Sequence, residues 1–201
     1  MNGASAPTQH LTMIGKWATI SRTMRTKKIA ILALQEMHLD EERLMEVRGC
    51  YESSLTIYNS QEPENPTGSA GVALVLNKAL ISPTDLKIHT LVQGRAIGMT
   101  IKWAETCALS IVNIYAPNDK GHQAVYWPEL ERGRRCCQMP KPDIALGDFN
   151  ITEDAIDRSP PQNRTQERRA VDALRELRIM WNIQDQWRHN NPGGRLFTHH
   201  H

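Results

Sequence analysis

In Ile144-Ala145-Leu146-Gly147-Asp148-Phe149-Asn150 a short apolar strand, Asp143 to Leu146, runs into a glycine and then presents two oxygen-bearing side chains two residues apart. If the backbone stays extended past Gly147, the two-residue period of a strand sets Asp148 and Asn150 on one face, at a strand end where a site can open. A carboxylate there is a hard ligand or a base, and an amide can donate to a phosphate oxygen or orient the carboxylate. The plain alternative is an Asx turn that only terminates a buried strand.

Two more segments end alike. Ile29-Ala30-Ile31-Leu32-Ala33-Leu34 is a continuous apolar run, as a strand buried on both faces requires, and it delivers Gln35 and then Glu36. Ala108 to Tyr115 reads as a strand, and Val112-Asn113-Ile114-Tyr115-Ala116-Pro117-Asn118 delivers a phenol and an amide. A lone Glu after a strand is ordinarily a solvated loop residue and a lone Tyr a core-edge aromatic. The conjunction of Glu36, Tyr115 with Asn118, and Asp148 with Asn150 is what stands out.

Around these ends the chain alternates α and β. Leu11, Ile14, Trp17, Ile20 and Met24 recur at helical spacing after Ser5 and Thr8 as candidate caps, and Asp40 to Val47 reads as a second short helix. Ser54 to Tyr58, Ala70 to Leu76 and Ile97 to Lys102 read as strands, with Gln61 to Gly68 a loop marked by Pro63, Pro66 and Gly68. A helix is expected over His122 to Cys137. Another carries Val171, Leu174, Leu177 and Trp181 on one face, after a polar loop from Thr152 to Gln162. With neither a repeat nor a dividing linker, residues 1–201 read as a single domain of sheets covered by helical layers.

Composition excludes little. The chain is 40% hydrophobic and 23% charged, near the globular norm, and 24 Lys and Arg against 22 Asp and Glu give a formal charge of +2, too balanced to mark a nucleic-acid binder. Cys50, Cys107, Cys136 and Cys137 form no C-x-x-C pair and no zinc-finger spacing, so reduced thiols and an intracellular protein are expected, with neither secretion nor membrane insertion. The arginines at 132, 134, 135, 164, 168 and 169 read as solvated helix faces, and Trp103, Trp127, Trp181 and Trp187 as core or edge packing.

Leu34-Gln35-Glu36-Met37-His38-Leu39, Ser69-Ala70-Gly71-Val72-Ala73, Ile114-Tyr115-Ala116-Pro117-Asn118 and Leu146-Gly147-Asp148-Phe149-Asn150, in that order, resemble the motifs of the endonuclease/exonuclease/phosphatase superfamily. The His-Leu after the glutamate and Ile156-Asp157-Arg158 in the following loop are most similar to the endonucleases of LINE-type retrotransposons, and the similarity runs through nearly the whole chain.

That resemblance implies a four-layered αββα sandwich, an α/β (α+β) fold of two mixed sheets with helices outside, and Mg²⁺-dependent (or Mn²⁺-dependent) hydrolysis of DNA phosphodiesters in the nucleus. Glu36 and Asn2 would hold the metal, as hard oxygen donors for a hard cation. Asp148 would orient or deprotonate the attacking water, with Asn150 fixing Asp148 and a phosphate oxygen. Tyr115 and Asn118 would donate to the phosphate as charge builds. DNA is the implied partner, with no obligate protein partner, and a reverse transcriptase in the same polyprotein is part of the same implication.

The family pattern begins with a strand bearing a metal-site Asn, whereas this sequence opens at Met1-Asn2-Gly3, where Asn2 matches only the later Asn of the pattern. The family pattern closes with an Asp-bearing strand and a Ser-Asp-His segment, whereas this one stops at Thr198-His199-His200-His201, a histidine run that reads as chance sequence or a tag. The expectation is a domain with incomplete first and last strands and unpaired strand edges. The alternatives are a catalytically dead retroelement fragment or DNA-binding remnant, and a phosphatase acting on a small phosphorylated molecule.

Overall fold

The computed structural model describes residues 7–68, 70–82, 86–102, 104–105, 107–157 and 167–194. Asn2, Ser5, Trp103, Arg164 and His199 to His201 lie outside them. Helix α1 (Pro7–Thr26) buries Trp17 and Met24, with Met13 and Ile20 on the same stripe. Helix α2 (Glu41–Tyr51) starts where the Asp40 carboxylate accepts the Arg43 amide at 2.8 Å, with Glu41 and Glu42 in its first turn facing the positive end of the helix dipole.

The first sheet joins β1 (Ile31–Gln35), β2 (Leu55–Ser60) and β3 (Val72–Asn77) in the order β1-β3-β2. The second joins β4 (Leu86–Val92), β5 (Ala96–Lys102), β6 (Ala108–Tyr115) and β7 (Ile144–Asp148) in sequence order. Among the described residues only β6 and β7 run parallel, and helix α3 (Lys120–Cys136) is the crossover such a pair needs. Helices α4 (Arg168–Trp181) and α5 (Gln186–Asn190) close the described chain.

Three buried clusters mark the three interfaces of a four-layered sandwich. Trp17, Met24, Leu44 and Val47 cover the outer face of the first sheet at Ile57 and Val75. Between the sheets, Val72, Leu74 and Leu76 of β3 meet Ile97 and Met99 of β5 and Ile111 and Tyr115 of β6. On the far side Val112 and Ile114 turn to Trp127 and Leu130 of α3 and to Leu174, Leu177 and Trp181 of α4. Strand β6 thus reads in both directions: its odd positions face the other sheet and its even positions the helices.

The architecture agrees with the expected sandwich and differs in detail. The first sheet is antiparallel throughout rather than mixed. Neither β1 nor β7 is a strand buried on both faces. Among the described residues each pairs with one neighbour only, every residue of β1 is half-buried, and Ile144 and Leu146 of β7 stay 40% and 39% exposed. Strand β4 and helix α5 were not expected, and the αL cap Asn182 ends α4 in the conformation Asn tolerates.

Arg134 also departs from the expected solvated face. Glu131, buried on α3, takes Arg134 Nε at 2.7 Å, Arg135 Nε at 2.6 Å and the Trp181 indole N–H of α4 at 2.7 Å. This carboxylate joins the two covering helices, and Gly133 lets α3 lie so close to β4 that a Cβ there would sit 2.0 Å from the Leu91 carbonyl oxygen.

The Arg134 hydrogen bond, ahead of those from Trp181 and Arg135, holds the Glu131 carboxyl at about 2 instead of 4.5. A depressed folded-state value contributes stability that is complete above the unfolded value and drains as pH falls toward the folded one. Between pH 4.5 and about 2 the native chain should therefore lose roughly 3 kcal/mol that a Glu131→Gln chain, already weaker at pH 7, no longer has to lose. Urea titrations of both chains across that range check it; parallel pH profiles would contradict the assignment.

Candidate active site

The strands of both sheets bring the singled-out residues to one end of the sandwich, where a run of backbone hydrogen bonds ties the strand ends together. The Met37 amide donates to the Gly71 carbonyl at 3.2 Å, Gly71 N to Gly94 O at 3.0 Å, Tyr115 N to Arg95 O at 2.8 Å and Ala116 N to Asp148 O at 2.9 Å. Backbone strain collects here as well. Glu36, His38, Ala70 and Asn150 are four of the seven non-glycine residues with positive φ among those described, at 54°, 48°, 52° and 50°. Such conformations persist only where the surroundings over-determine them, which is common at sites that hold side chains for chemistry.

Glu36 and Tyr115 come from different sheets and meet directly: the Tyr115 hydroxyl donates to Glu36 Oε1 at 2.5 Å. The Glu36 side chain is otherwise open to solvent, whereas Tyr115 is 7% exposed, with the Arg95 guanidinium 5.1 Å over its ring. Burial first, then the hydrogen bond to Glu36 and the negative charges of Glu36 and Asp148, push the phenol up to about 12. Tyr115 is therefore a neutral proton donor at ordinary pH. Arg95, in the β4–β5 turn, is a member of the site that the sequence motifs did not disclose.

Asp148 and Asn150 are brought together differently from the extended arrangement expected. The chain turns at Asn150, whose backbone amide donates to Asp148 Oδ1 at 2.9 Å while its side-chain amide donates to the Ala116 carbonyl at 2.8 Å. The Asx turn is thus present, but with a solvent-facing Asp148 carboxylate beside the Tyr115 strand end. Asn150 fixes Asp148 through its main chain and the neighbouring loop through its side chain.

Helix α3 supplies the reason for the turn. Lys120 Nζ donates to the Asn150 carbonyl, and the buried Gln123 amide donates to Pro117 O at 2.6 Å and Asn150 O at 2.9 Å. Asn118 is exposed on the loop so held.

Gly147 makes the approach possible. Its φ is +132°, and a Cβ would lie 1.9 Å from the Ile114 carbonyl oxygen. Beside this, the donor set suits a hard divalent cation. Glu36 and Asp148 offer solvent-facing carboxylates, and Mg²⁺ is ordinarily held by one or two carboxylates with water and substrate oxygens rather than by a complete protein cage. Among the described residues no group of three or more His, Cys, Asp and Glu side chains is close enough to form such a cage.

A two-sheet sandwich whose strand ends carry Glu, Tyr, Asp and Asn in this order is the architecture that the sequence resemblance implied. The chain belongs to the endonuclease/exonuclease/phosphatase family, whose model matches residues 18–200.

It is also similar, with 28% identity over 131 residues, to a Transposon TX1 protein of 149 kDa from Xenopus laevis, covering 65% of this chain and 10% of that protein. Similar solved structures include a functionally unknown conserved protein from Enterococcus faecalis, with 10% identity, 76% of this chain and 61% of that one covered, and a TM-score of 0.49. A truncated Caenorhabditis elegans TDP2 has 14% identity over 76% of this chain and 59% of that one, with a TM-score of 0.46. This chain therefore spans about a tenth of the transposon protein and about three fifths of these solved chains.

Gly147→Ala should cost at least about 2 kcal/mol, because it combines a strained φ with a backbone overlap that no side-chain rotation relieves. Thermal melts measure the loss, and a variant as stable as the native chain would show that β7 does not approach β6 this closely.

Proposed function

We propose that this chain is the nuclease module of a transposable element, which hydrolyses phosphodiester bonds of DNA with a divalent cation, Mg²⁺ or Mn²⁺. The observation that carries the reading is that Tyr115, at the end of β6, donates its hydroxyl to Glu36, just past β1, and is paired in the sheet with the solvent-facing Asp148 of β7. The likeness to a transposon protein over 65% of the chain supports the transposable-element origin; a nuclear place of action is proposed from the DNA target.

Asp148, with one carboxylate oxygen already engaged by the Asn150 amide, keeps its other oxygen for a water that attacks phosphorus. The water proton passes to Asp148 as the new P–O bond forms, and the bond to the leaving oxygen breaks with that oxygen taking its proton from solvent. Tyr115 and Asn118 donate to the non-bridging oxygens, whose negative charge grows in the transition state. Tyr115 would have to release Glu36 to reach the phosphate, and Glu36 is the carboxylate that would hold the cation. A bound cation supplies neutralisation of the phosphate charge and of the leaving oxygen. Asn2, at the opening of the sequence, remains a proposed second metal donor on the resemblance alone.

Supercoiled plasmid incubated with the chain and Mg²⁺ should be converted to open circles, and a chelator should abolish the conversion. Asp148→Ala should slow it by about 10²- to 10⁴-fold. A folded chain that nicks no DNA would overturn the reading in favour of a catalytically dead retroelement fragment.

A further inference from the structure

Asn113 occupies a place where a valine would be expected. It lies inside the apolar run Ile111 to Ile114, is 0% exposed, and points with Ile111 and Tyr115 into the interface between the sheets. Burying an unpaired amide costs on the order of 2 kcal/mol, so an amide there must be satisfied. Its Nδ2 donates to the Leu34 carbonyl at 2.8 Å and to the Ala73 carbonyl at 2.9 Å, residues that face each other across the β1–β3 ladder. Its Oδ1 accepts from Gln35 Nε2 at 2.6 Å.

The orientation is unambiguous, because two carbonyls can only accept and the group left to Oδ1 is a donor. Every one of these bonds crosses from the second sheet to the first: two reach Leu34 and Gln35, the last residues of β1 before Glu36, and one reaches Ala73 of β3, the partner of Leu34.

We infer that Asn113 is a positioning residue, which clamps the end of β1 against β6 so that Glu36 meets Tyr115 two residues farther along the same strand face. The inference rests on the proposed catalytic reading of Glu36 and Tyr115. Apolar contacts between sheets slide at little cost, since they have no direction; three hydrogen bonds to fixed backbone and side-chain partners do not. Among the described residues strand β1 pairs with β3, and a second restraint is what the facing sheet adds. The amide of Asn113 takes that part from the facing sheet.

The test compares Asn113→Leu, which keeps the branched shape with some added bulk and removes all three bonds, with Gln35→Met, which removes one, and with Leu177→Ala, a core change under α4 on the far side of the second sheet. In cation-free protein, amide exchange of Met37, at the Glu36 end of the β1–β3 pair, is read against that of Asn77, bonded to Ala30 at the other end. Mn²⁺ affinity is then read by electron paramagnetic resonance.

Asn113→Leu should raise the Met37 to Asn77 exchange ratio on the order of tenfold, and weaken Mn²⁺ binding comparably. Gln35→Met should move both in the same direction by less, and decides the matter if Asn113→Leu does not fold. Leu177→Ala should leave both unchanged although it melts earlier. A ratio unaffected by the loss of the bonds, or shifted equally by Leu177→Ala, overturns the inference, as does a shifted ratio with unaltered Mn²⁺ affinity. A shifted ratio in a protein whose native form binds no Mn²⁺ would leave the clamp standing and remove the cation from the proposed function.

Discussion

The interface between the two sheets is apolar along most of its depth and polar at one end, and the arrangement of the site follows from that asymmetry. Leu74, Leu76, Ile97, Met99 and Ile111 hold the sheets together without specifying where along their length they meet. Asn113 and Tyr115 specify it. Their bonds to Leu34, Gln35, Ala73 and Glu36 fix the strands of one sheet against a strand of the other. A carboxylate at the end of β1 and a carboxylate at the end of β7 can share a site only because both strands are referred to β6.

The second constraint comes from outside the sheets. Helix α3 covers the back of β6 with Trp127 and Leu130, and its first turns grip the loops after β6 and β7 through Lys120 and Gln123. One element thus contributes to the core and to the geometry of Asp148. Beyond Asn150, Glu153 pairs with Arg175 and Arg178 of α4, and Asp157 with Arg188 of α5. The loop leaving the site is tied to the outer helices as well.

Much of the fold could be read from periodicity, because the strong signals are the ones that packing reinforces. The stripe of Trp17, Ile20 and Met24 and that of Leu174, Leu177 and Trp181 are both buried as spaced. Strand β4 escaped because Leu86-Lys87-Ile88-His89-Thr90-Leu91-Val92 changes its buried face at an irregularity between Thr90 and Val92, which breaks a two-residue period midway. The exposure of β7 could not be read from Ile144-Ala145-Leu146 either, since an apolar run says that a strand can be covered and not what covers it.

In the site, the residue types at the strand ends were evident and their arrangement was not. Asn150 has the same composition in an extended chain and in a left-handed turn, and contacts from Lys120 and Gln123, 30 and 27 residues away, select the turn. Asn113 did carry a local signal, a lone amide within an apolar strand, but its partners lie 78 and 79 residues away through β1. Arg95 carried none, as a cation in a hairpin turn is unremarkable until Tyr115 is placed beneath it. Amide resonances broadened by substoichiometric Mn²⁺ would locate the cation on the folded chain. The account predicts loss of signal centred on Glu36, Tyr115 and Asp148, fading toward Lys28 at the opposite end of β1; broadening centred on the acidic start of α2, at Asp40 to Glu42, would contradict it.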